Sequence, residues 1–178
     1  MRITRRQALA GGTAAAASAA VPAVARAQDK KAMNRTALTS SLEVVQTAVV
    51  AYTAIANGDL LRGSVQTTFR TFLDHEQQHE QALGDALDGI GAKQPAPPTR
   101  AQIRGLTSLR SQQQAIAFAI ALERREVATF YKATETLKDA NALKTLASIM
   151  GCDGQHLTVL RQLAGRTAVP RAFETGQA

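Results

Sequence analysis

Two short segments of the chain combine carboxylates and imidazoles at a spacing that suits metal binding. Segment 74–80 reads DHEQQHE and segment 153–156 reads DGQH, and together they hold all three histidines. The carboxylate–imidazole pairs within them are Glu76-x-x-His79 and Asp153-x-x-His156. Because positions i and i+3 project from the same face of a helix, each pair points two ligands in one direction. The pattern therefore predicts ligands for one shared metal centre.

Four amphipathic helices are predicted to position these segments, because apolar residues recur at three- and four-residue steps over four stretches. The predicted helices run from Thr39 or Ser40 to about Ala56, from Leu60 to Leu87, from Ser108 to Lys138, and from a cap at Asp139 or Asn141 to the residue before Gly165. The segment 99–107 is expected to hold a short helix that Gly105 interrupts. No alternating strand pattern stands out, which favours an all-α domain.

The connections between the predicted helices indicate how the helices pack. Asn57-Gly58-Asp59 predicts a short turn after the first helix, and the third and fourth helices follow each other closely. Residues 89–98 contain two glycines and three prolines, which predict a long extended connection. We therefore expect an antiparallel four-helix bundle with a long crossover between helices 2 and 3, occupying residues 38–165.

The first residues are typical of an export signal rather than of the folded domain. Arg5 and Arg6 form a twin-arginine opening, a weakly apolar run follows, and Ala25-Arg26-Ala27 fits a small-x-small cleavage site. We predict a twin-arginine signal over residues 1–27, a polar tether over 28–37 and a loose tail over 166–178. An ordinary secretory signal is the alternative. Both predict a periplasmic or secreted protein, and the twin-arginine export machinery as a partner.

Charge and cysteine content exclude some classes of function. The signal holds four arginines and no acid, so its removal lowers the formal net charge from +7 to +3. With no basic run, nothing predicts nucleic-acid binding. The apolar run is too rich in Gly and Ala to predict a stable membrane anchor. The single cysteine, Cys152, forms no internal disulfide and is interpreted as a small core residue.

Several polar residues replace apolar ones on the core-facing stripes. At roughly 100° per residue, the residues on or beside the stripes of three helices are Glu76, His79, Glu123, Asp153 and His156. Burying so many charges without partners is costly, and a cation at their centre would offset that cost. These ligands suit iron, manganese or zinc. They match the dinuclear scheme in which two helices give one Glu each and two give Glu-x-x-His.

Three phrases resemble the ferritin-like superfamily, over residues 38–164. They are HEQQH at 75–79, ALERRE at 121–126 and DGQHL at 153–157. The chain is most similar to exported bacterial ferritin-like domain proteins of the rubrerythrin and desiccation-related type. The resemblance implies that Glu76, His79, Glu123 and His156 occupy family ligand positions, and that Asp153 stands where a Glu is usual.

The first helix departs from the family pattern, which has a core-facing Glu there. Its only acid, Glu43, points roughly 130° away from the centre of the apolar stripe. Gln46 lies nearer the core-facing side, but an amide is a weaker ligand. His75 and Glu126 are further candidates on helices 2 and 3. The expected site therefore holds iron as one or two ions, or manganese or zinc, with Gln46 or water filling the gap in helix 1.

Smaller signals surround the same site. Gly151 and Gly154 flank Asp153, which predicts close helix packing, a local bulge, or a break of the helix near Gly151. Tyr52 and Tyr131 are interpreted as core residues with hydrogen-bonded hydroxyl groups, and a role in lining the site is the alternative.

Two other readings of the polar residues stay open at this point. In a metal-free structural or interaction bundle, the acids and imidazoles would pair with Arg124, Arg125 or Arg161, or reach the rim. In a zinc hydrolase, the literal His-Glu-x-x-His match would make His75 and His79 zinc ligands and Glu76 the general base.

The reaction is not specified by the sequence, and no catalytic residue is assigned. Iron storage, Fe(II) oxidation, peroxide reduction, stress protection and a purely structural metal all remain open, as does a homo-oligomer. A di-iron oxidase or peroxidase activity is thus one hypothesis among these. The chain has no cysteine pairs for a rubredoxin-like electron relay, which argues against a self-contained rubrerythrin.

Overall fold

The protein is built from four long helices. The computed structural model describes residues 20–177, with side chains from Val24 onward. The helices are α1 (Ala20–Ala56), α2 (Gly63–Gly89), α3 (Gln112–Thr136) and α4 (Ala140–Leu163). Residues 20–177 contain no strand. The predicted all-α four-helix bundle is therefore confirmed.

The helices form two hairpins joined by a crossover. Helix α1 packs against α2 and α3, and α4 packs against α3 and α2. Short connections follow α1 and α3, whereas residues 90–111 join α2 to α3. This crossover carries two short 3-10 helices, Arg100–Gln102 and Leu106–Ser108, separated at Gly105, whose φ is 88°. The predicted short helix that Gly105 interrupts is thus a pair of 3-10 turns, because glycine adopts positive φ at little cost.

Side-chain caps fix the starts of the last two helices. The Ser111 side chain accepts a hydrogen bond from the backbone N–H of Gln114 at the start of α3. The Asp139 side chain accepts one from Ala142 at the start of α4, so Asp139 rather than Asn141 is the cap. Helix α3 begins later than the predicted Ser108 because the second 3-10 turn and the cap precede it.

Helix α1 begins well before the predicted Thr39 or Ser40. Residues 28–37, predicted to be a polar tether, are helical and mostly exposed. Residues 28–37 include good helix formers and contain no glycine or proline. Their polar side chains are therefore those of a helix exposed to solvent. Asn34 accepts a hydrogen bond from the backbone N–H of Lys138 through its side-chain oxygen, which ties this part of α1 to the α3–α4 connection.

The described part of the C-terminal tail, residues 166–177, is irregular and makes specific contacts. Arg161 of α4 donates a hydrogen bond to Glu174 at 2.6 Å. Gly176 has a φ of 72°, and a Cβ placed there would lie 2.1 Å from the carbonyl oxygen of Arg124. The described part of the tail therefore packs against α3 and α4.

Helix α4 is continuous from Ala140 to Leu163, which confirms the predicted fourth helix and excludes the alternative of a break near Gly151. A Cβ built at Gly151 or Gly154 would meet no atom within 4 Å outside the helix's own backbone. Neither glycine is therefore required for close helix packing.

The core consists of two apolar clusters separated by a polar layer. One cluster includes Phe69 and Phe72 of α2, and the other includes Leu83 and Leu87 further along the same helix. The polar segment of α2 lies between these pairs. The two clusters occur in the same order along α3 and in the reverse order along α4. The predicted apolar stripes thus form the core, and they hold the polar segments in its middle.

One helix of the described chain is long and apolar enough to span a membrane by length and composition. It covers Val24–Ala56, and 56% of its most apolar window is buried within the protein. The core helix of a soluble protein and a signal sequence pass the same test, so one such helix is weak evidence of a membrane span.

Candidate metal centre

The polar layer is a cluster of carboxylates and imidazoles almost completely removed from solvent. Its acids are at 0% exposure and His156 is at 2%. The buried members are Glu76 of α2, Glu123 and Glu126 of α3, and Asp153 and His156 of α4. One ligand atom from each of four of them, Glu76, Glu123, Asp153 and His156, lies within 4.8 Å of the others. Three helices therefore converge their polar side chains on one point.

Glu76 occupies the middle of the cluster and faces an imidazole with each of its oxygens. Its Oε2 lies 3.4 Å from His79 Nδ1, which is also 3.6 Å from Asp153 Oδ1. Its Oε1 lies 3.5 Å from His156 Nδ1, which is also 3.2 Å from Glu123 Oε1. The cluster thus divides into two halves, each with an imidazole and a carboxylate of its own, joined by Glu76.

These distances match those between ligands that share an ion. Two atoms that each lie about 2.1 Å from one ion at a tetrahedral angle are about 3.4 Å apart. The four imidazole–carboxylate distances in the cluster range from 3.2 to 3.6 Å. They are long for hydrogen bonds between charged partners, which are usually about 2.7–2.9 Å. The spacing therefore suits coordination better than direct ion pairing.

Six carboxylate oxygens in the cluster are buried without a hydrogen-bond partner. They are Glu76 Oε1, Glu123 Oε2, and both oxygens of Glu126 and of Asp153. In the described part of the chain, the ion pairs of these acids involve only histidines, and Arg161 pairs with Glu174 instead. The arginine pairing expected of a metal-free bundle is thus not found there. Because unpaired buried carboxylates are costly, a cation fits the donor set.

Three of the carboxyl groups hold their protons more tightly than usual. Burial raises the pKa of Glu126 and of Asp153 well above the ordinary range, and the negative charges of Glu76 and Glu123 add to the effect. Burial also raises the pKa of Glu123. When Glu126 is ionised, neither of its carboxylate oxygens has a hydrogen-bond partner. When Glu126 is protonated, its hydroxyl can donate a hydrogen bond to Glu76. Without a cation, the cluster therefore favours neutral acids.

Glu76 and His156 shift in the direction of a charged pair. Burial disfavours the charged form of both residues. The contacts of Glu76 with His156 and His79, and of His156 with Glu123 and Glu76, favour the charged forms and outweigh the effect of burial. The pKa of Glu76 is accordingly lowered, and the pKa of His156 is raised to about 10. A metal ion would compete with this proton for His156 Nδ1, so metal binding is expected to release protons.

Helix α1 reaches the cluster through Tyr52 rather than through a carboxylate. The Tyr52 hydroxyl donates a hydrogen bond of 2.5 Å to Glu123 Oε1, and both side chains are fully buried. Burial and the neighbouring Glu123 charge raise the Tyr52 pKa well above 10, so the hydroxyl keeps its proton. Tyr52 is therefore both a core residue and part of the wall of the site. Tyr131, in contrast, is 46% exposed.

The other two candidates on helix 1, Glu43 and Gln46, differ in burial, in agreement with their predicted directions. Glu43 is exposed on the outside of α1. Gln46 is buried, but its Nε2 donates to the carbonyl oxygen of Pro95 in the crossover. This hydrogen bond holds the crossover against α1, whereas Gln46 Oε1, the atom that an amide offers to a metal, is buried without a hydrogen-bond partner.

Two residues have a larger part in the site than their sequence signals suggested. Glu126 was a secondary candidate, yet it is as buried as Glu123, and the i+3 spacing between the two was the available signal. Cys152 was interpreted as a core residue, yet its Sγ lies 3.5 Å from His156 Nε2 and 3.7 Å from His75 Nδ1. Its position one helical turn before His156 was the signal in this case.

The geometry does not favour the zinc-hydrolase alternative. His75 and His79 contact different partners: His75 Nδ1 lies 3.0 Å from His156 Nε2, whereas His79 faces Glu76 and Asp153. Glu76, the required general base, is fully buried among other carboxylates. The described residues also provide no strand along which a peptide substrate would bind.

Comparisons with known proteins agree with the architecture. The sequence profile of the ferritin-like domain matches residues 38–166. A crystal structure titled as a conserved hypothetical protein, rv2844, from Mycobacterium tuberculosis superposes with a TM-score of 0.67 at 16% identity, covering 81% of this chain and 99% of that chain. At such identity the likeness concerns the fold alone. A search of curated proteins found no match. Because the profile match spans most of the sequence, the chain belongs to the ferritin-like domain family.

Proposed function

We propose that this protein is an exported ferritin-like protein that binds one or two transition-metal ions, iron foremost, between α2, α3 and α4. The observation that carries the proposal is the buried cluster with six unpaired carboxylate oxygens and no arginine partner among the described ion pairs. Oxygen and nitrogen ligands of this kind suit iron and manganese as well as zinc.

Each half of the cluster would hold one ion. His79 and Asp153 would serve one half, and His156 and Glu123 the other. Glu76 faces both halves with different oxygens, which suits a bridging carboxylate. Glu126 would supply a further oxygen from α3. A single ion would be held by the same residues, with fewer metal–ligand bonds to each side chain. Metal analysis gives the number of ions.

The surrounding residues hold the ligands in place and exclude water. Tyr52 fixes Glu123 through its hydrogen bond, and the Phe72 ring stacks on His156 with centroids 4.0 Å apart. The two apolar clusters cover the site on both sides along the helices. When bound, iron would supply the one-electron chemistry that oxygen or peroxide reduction requires. We therefore propose iron or peroxide handling, with a role in stress protection, as the activity.

Metal analysis of the purified protein tests this proposal. We expect one or two ions per chain in the wild type and almost none in Glu76→Ala/His156→Ala. Asp74→Ala is the matched control, because Asp74 is exposed on the same helix as Glu76, and it should bind metal like the wild type. Glu126→Gln is a milder variant for the case in which the double substitution does not fold. Equal, near-zero metal in wild type and variants would contradict the proposal.

Export is supported by the sequence of the first 27 residues. Arg5 and Arg6 lie outside the described residues, whereas Ala25 and Ala27 lie on the exposed start of α1. We expect the mature protein to begin at Gln28 and to be found in the periplasm or medium, where its partner would be metal ions rather than nucleic acid. Arg5→Lys/Arg6→Lys should retain the precursor in the cytoplasm. An uncleaved, cytoplasmic wild-type protein would refute this part of the proposal without affecting the metal site.

A further inference from the structure

A second group of metal-binding side chains lies on the other side of the His156 ring. His75 of α2 and Cys152 of α4 are both half-buried, and they face His156 Nε2. The opposite ring nitrogen, Nδ1, faces Glu123 and Glu76 of the carboxylate cluster. The two groups of ligands therefore share one residue but use different atoms of it.

The three ligand atoms form a triangle of the size that one ion requires. His75 Nδ1 lies 3.0 Å from His156 Nε2, and Cys152 Sγ lies 3.5 and 3.7 Å from His156 Nε2 and His75 Nδ1. Around a tetrahedral Zn²⁺, with Zn–N of about 2.0–2.1 Å and Zn–S of about 2.3 Å, two nitrogens lie about 3.3 Å apart and a nitrogen and a sulfur about 3.6 Å apart. The two nitrogen–sulfur distances match these values, and the nitrogen–nitrogen distance is about 0.3 Å shorter than the tetrahedral one.

We propose that His75, Cys152 and His156 form a second metal site, for a single thiophilic ion such as Zn²⁺. A thiolate with two imidazoles is a softer donor set than the carboxylate cluster, and it selects zinc over the metals that prefer oxygen. Three protein ligands leave the fourth tetrahedral position open to water or a small molecule. The site goes beyond the proposed function, because its ion is held by atoms that the carboxylate cluster does not use.

The surroundings of His156 support an ion at its Nε2. A histidine that binds metal commonly donates its other ring N–H to a carboxylate, which fixes the tautomer and orients the ring. Here His156 Nδ1 lies 3.2 Å from Glu123 Oε1, and Phe72 stacks on the ring.

The site is open to entry from solvent. His75 and Cys152 are only partly buried, in contrast to the carboxylates behind them. An ion can therefore reach Cys152 Sγ without passing through the core. Once bound, it keeps the His156 proton on Nδ1, so the carboxylate cluster would then hold metal through His79 and the carboxylates.

Cobalt binding to the metal-free full chain tests this site directly. Co²⁺ is added anaerobically, and the near-ultraviolet charge-transfer absorption of a thiolate–cobalt bond is recorded. Because Cys152 is the single cysteine of the chain, its alkylation by iodoacetamide reports on the same ligand. We expect saturable thiolate absorption, its loss when Zn²⁺ displaces Co²⁺, and at least roughly tenfold slower alkylation with Zn²⁺ bound.

Variants separate this site from the carboxylate cluster. Cys152→Ser should abolish the thiolate absorption. His75→Gln should weaken Co²⁺ binding at this site by at least roughly tenfold, because loss of a direct ligand costs no less than loss of an outer-shell partner. Glu126→Gln should leave absorption and alkylation protection unchanged, because Glu126 belongs to the other group of ligands. Circular dichroism checks that each variant is folded. If Cys152→Ser does not fold, protection of wild-type Cys152 from alkylation by Zn²⁺ tests the site instead.

Failure of this inference is distinguishable from failure of the proposed function. Co²⁺ binding without thiolate absorption, with an unchanged alkylation rate in saturating Zn²⁺, would show that the three residues only hydrogen-bond one another. That result would overturn the second site and leave the carboxylate site standing. Thiolate absorption without any metal binding that depends on Glu76 or Asp153 would support the second site and remove the first.

Discussion

Replacing Glu126 by glutamine is expected to affect the metal-free and the metal-loaded protein in different ways. Glu126 is fully buried, both of its oxygens lack a partner, and burial raises its pKa. Without an ion, the protein must therefore hold either a buried charge or an added proton at this position. The amide of glutamine keeps the shape, carries no charge and can donate hydrogen bonds to the neighbouring carboxylates. With an ion bound, however, the substitution removes a negatively charged ligand.

The size of both effects follows from the structure. A buried polar group without a partner costs about 1–3 kcal/mol, so Glu126→Gln should raise the free energy of unfolding of the metal-free protein by about that amount at neutral pH. A metal at 100 times its Kd adds about 2.7 kcal/mol to the stability of a protein that binds it only when folded. If the variant binds 100-fold more weakly, the same metal concentration adds only about 0.4 kcal/mol.

Urea unfolding with a chelator and with Mn²⁺ measures both quantities, and Mn²⁺ avoids the oxidation that accompanies Fe²⁺. Glu135→Gln is the matched control, because Glu135 is exposed on the same helix and should change stability by less than about 0.5 kcal/mol in either condition. The reasoning is refuted if Glu126→Gln is less stable than the wild type in chelator while both proteins gain the same stability from Mn²⁺.

Three further predictions concern the same bundle. The metal-free protein should lose stability between pH 5 and pH 8 in urea titrations. The pKa values of Glu126, Asp153 and His156 are higher in the folded than in the unfolded protein. Their protonated forms therefore stabilise the fold fully below the unfolded-state pKa values, and this stabilisation is lost as the pH rises toward the folded-state values. Stability that rises over this range in chelator would contradict this. Tyr52→Phe should lower stability by about 1.5–3 kcal/mol, since it removes a buried hydrogen bond to a carboxylate; a loss below about 0.5 kcal/mol would argue against that bond. Gly151→Ala should raise the Tm by roughly 2–4 °C, because its Cβ meets no atom within 4 Å and alanine favours the helix by about 1 kcal/mol; a lower Tm would indicate an unrecognised contact.

The sequence predicted the helices and the polar layer because both depend on local periodicity. Glu76, Glu123 and Asp153 interrupt apolar stripes, and a side chain on such a stripe is buried once the bundle forms. Residues 28–37 were misinterpreted because polar composition is compatible with both a tether and a solvated helix. The structure distinguishes the two through the helical backbone of these residues and the contact of Asn34 with the α3–α4 connection.

The contributions of helix α1 depend on tertiary contacts that periodicity does not encode. Gln46 faces the interior as its helical angle predicts, but the path of the crossover places the Pro95 carbonyl oxygen within reach of its amide. The Tyr52 hydroxyl reaches Glu123 because α1 packs against α3 at that level. Similarly, Cys152 and His75 lie on different helices, and their sequence positions alone gave no reason to pair them.

Anomalous diffraction from crystals soaked in Fe²⁺ or Mn²⁺ tests the central claim most directly. The account predicts one or two strong anomalous peaks inside the bundle, each within coordination distance of Glu76 and of His79 or His156. Peaks only at the protein surface, or none at saturating metal, would contradict the claim that a metal ion neutralises the buried carboxylates.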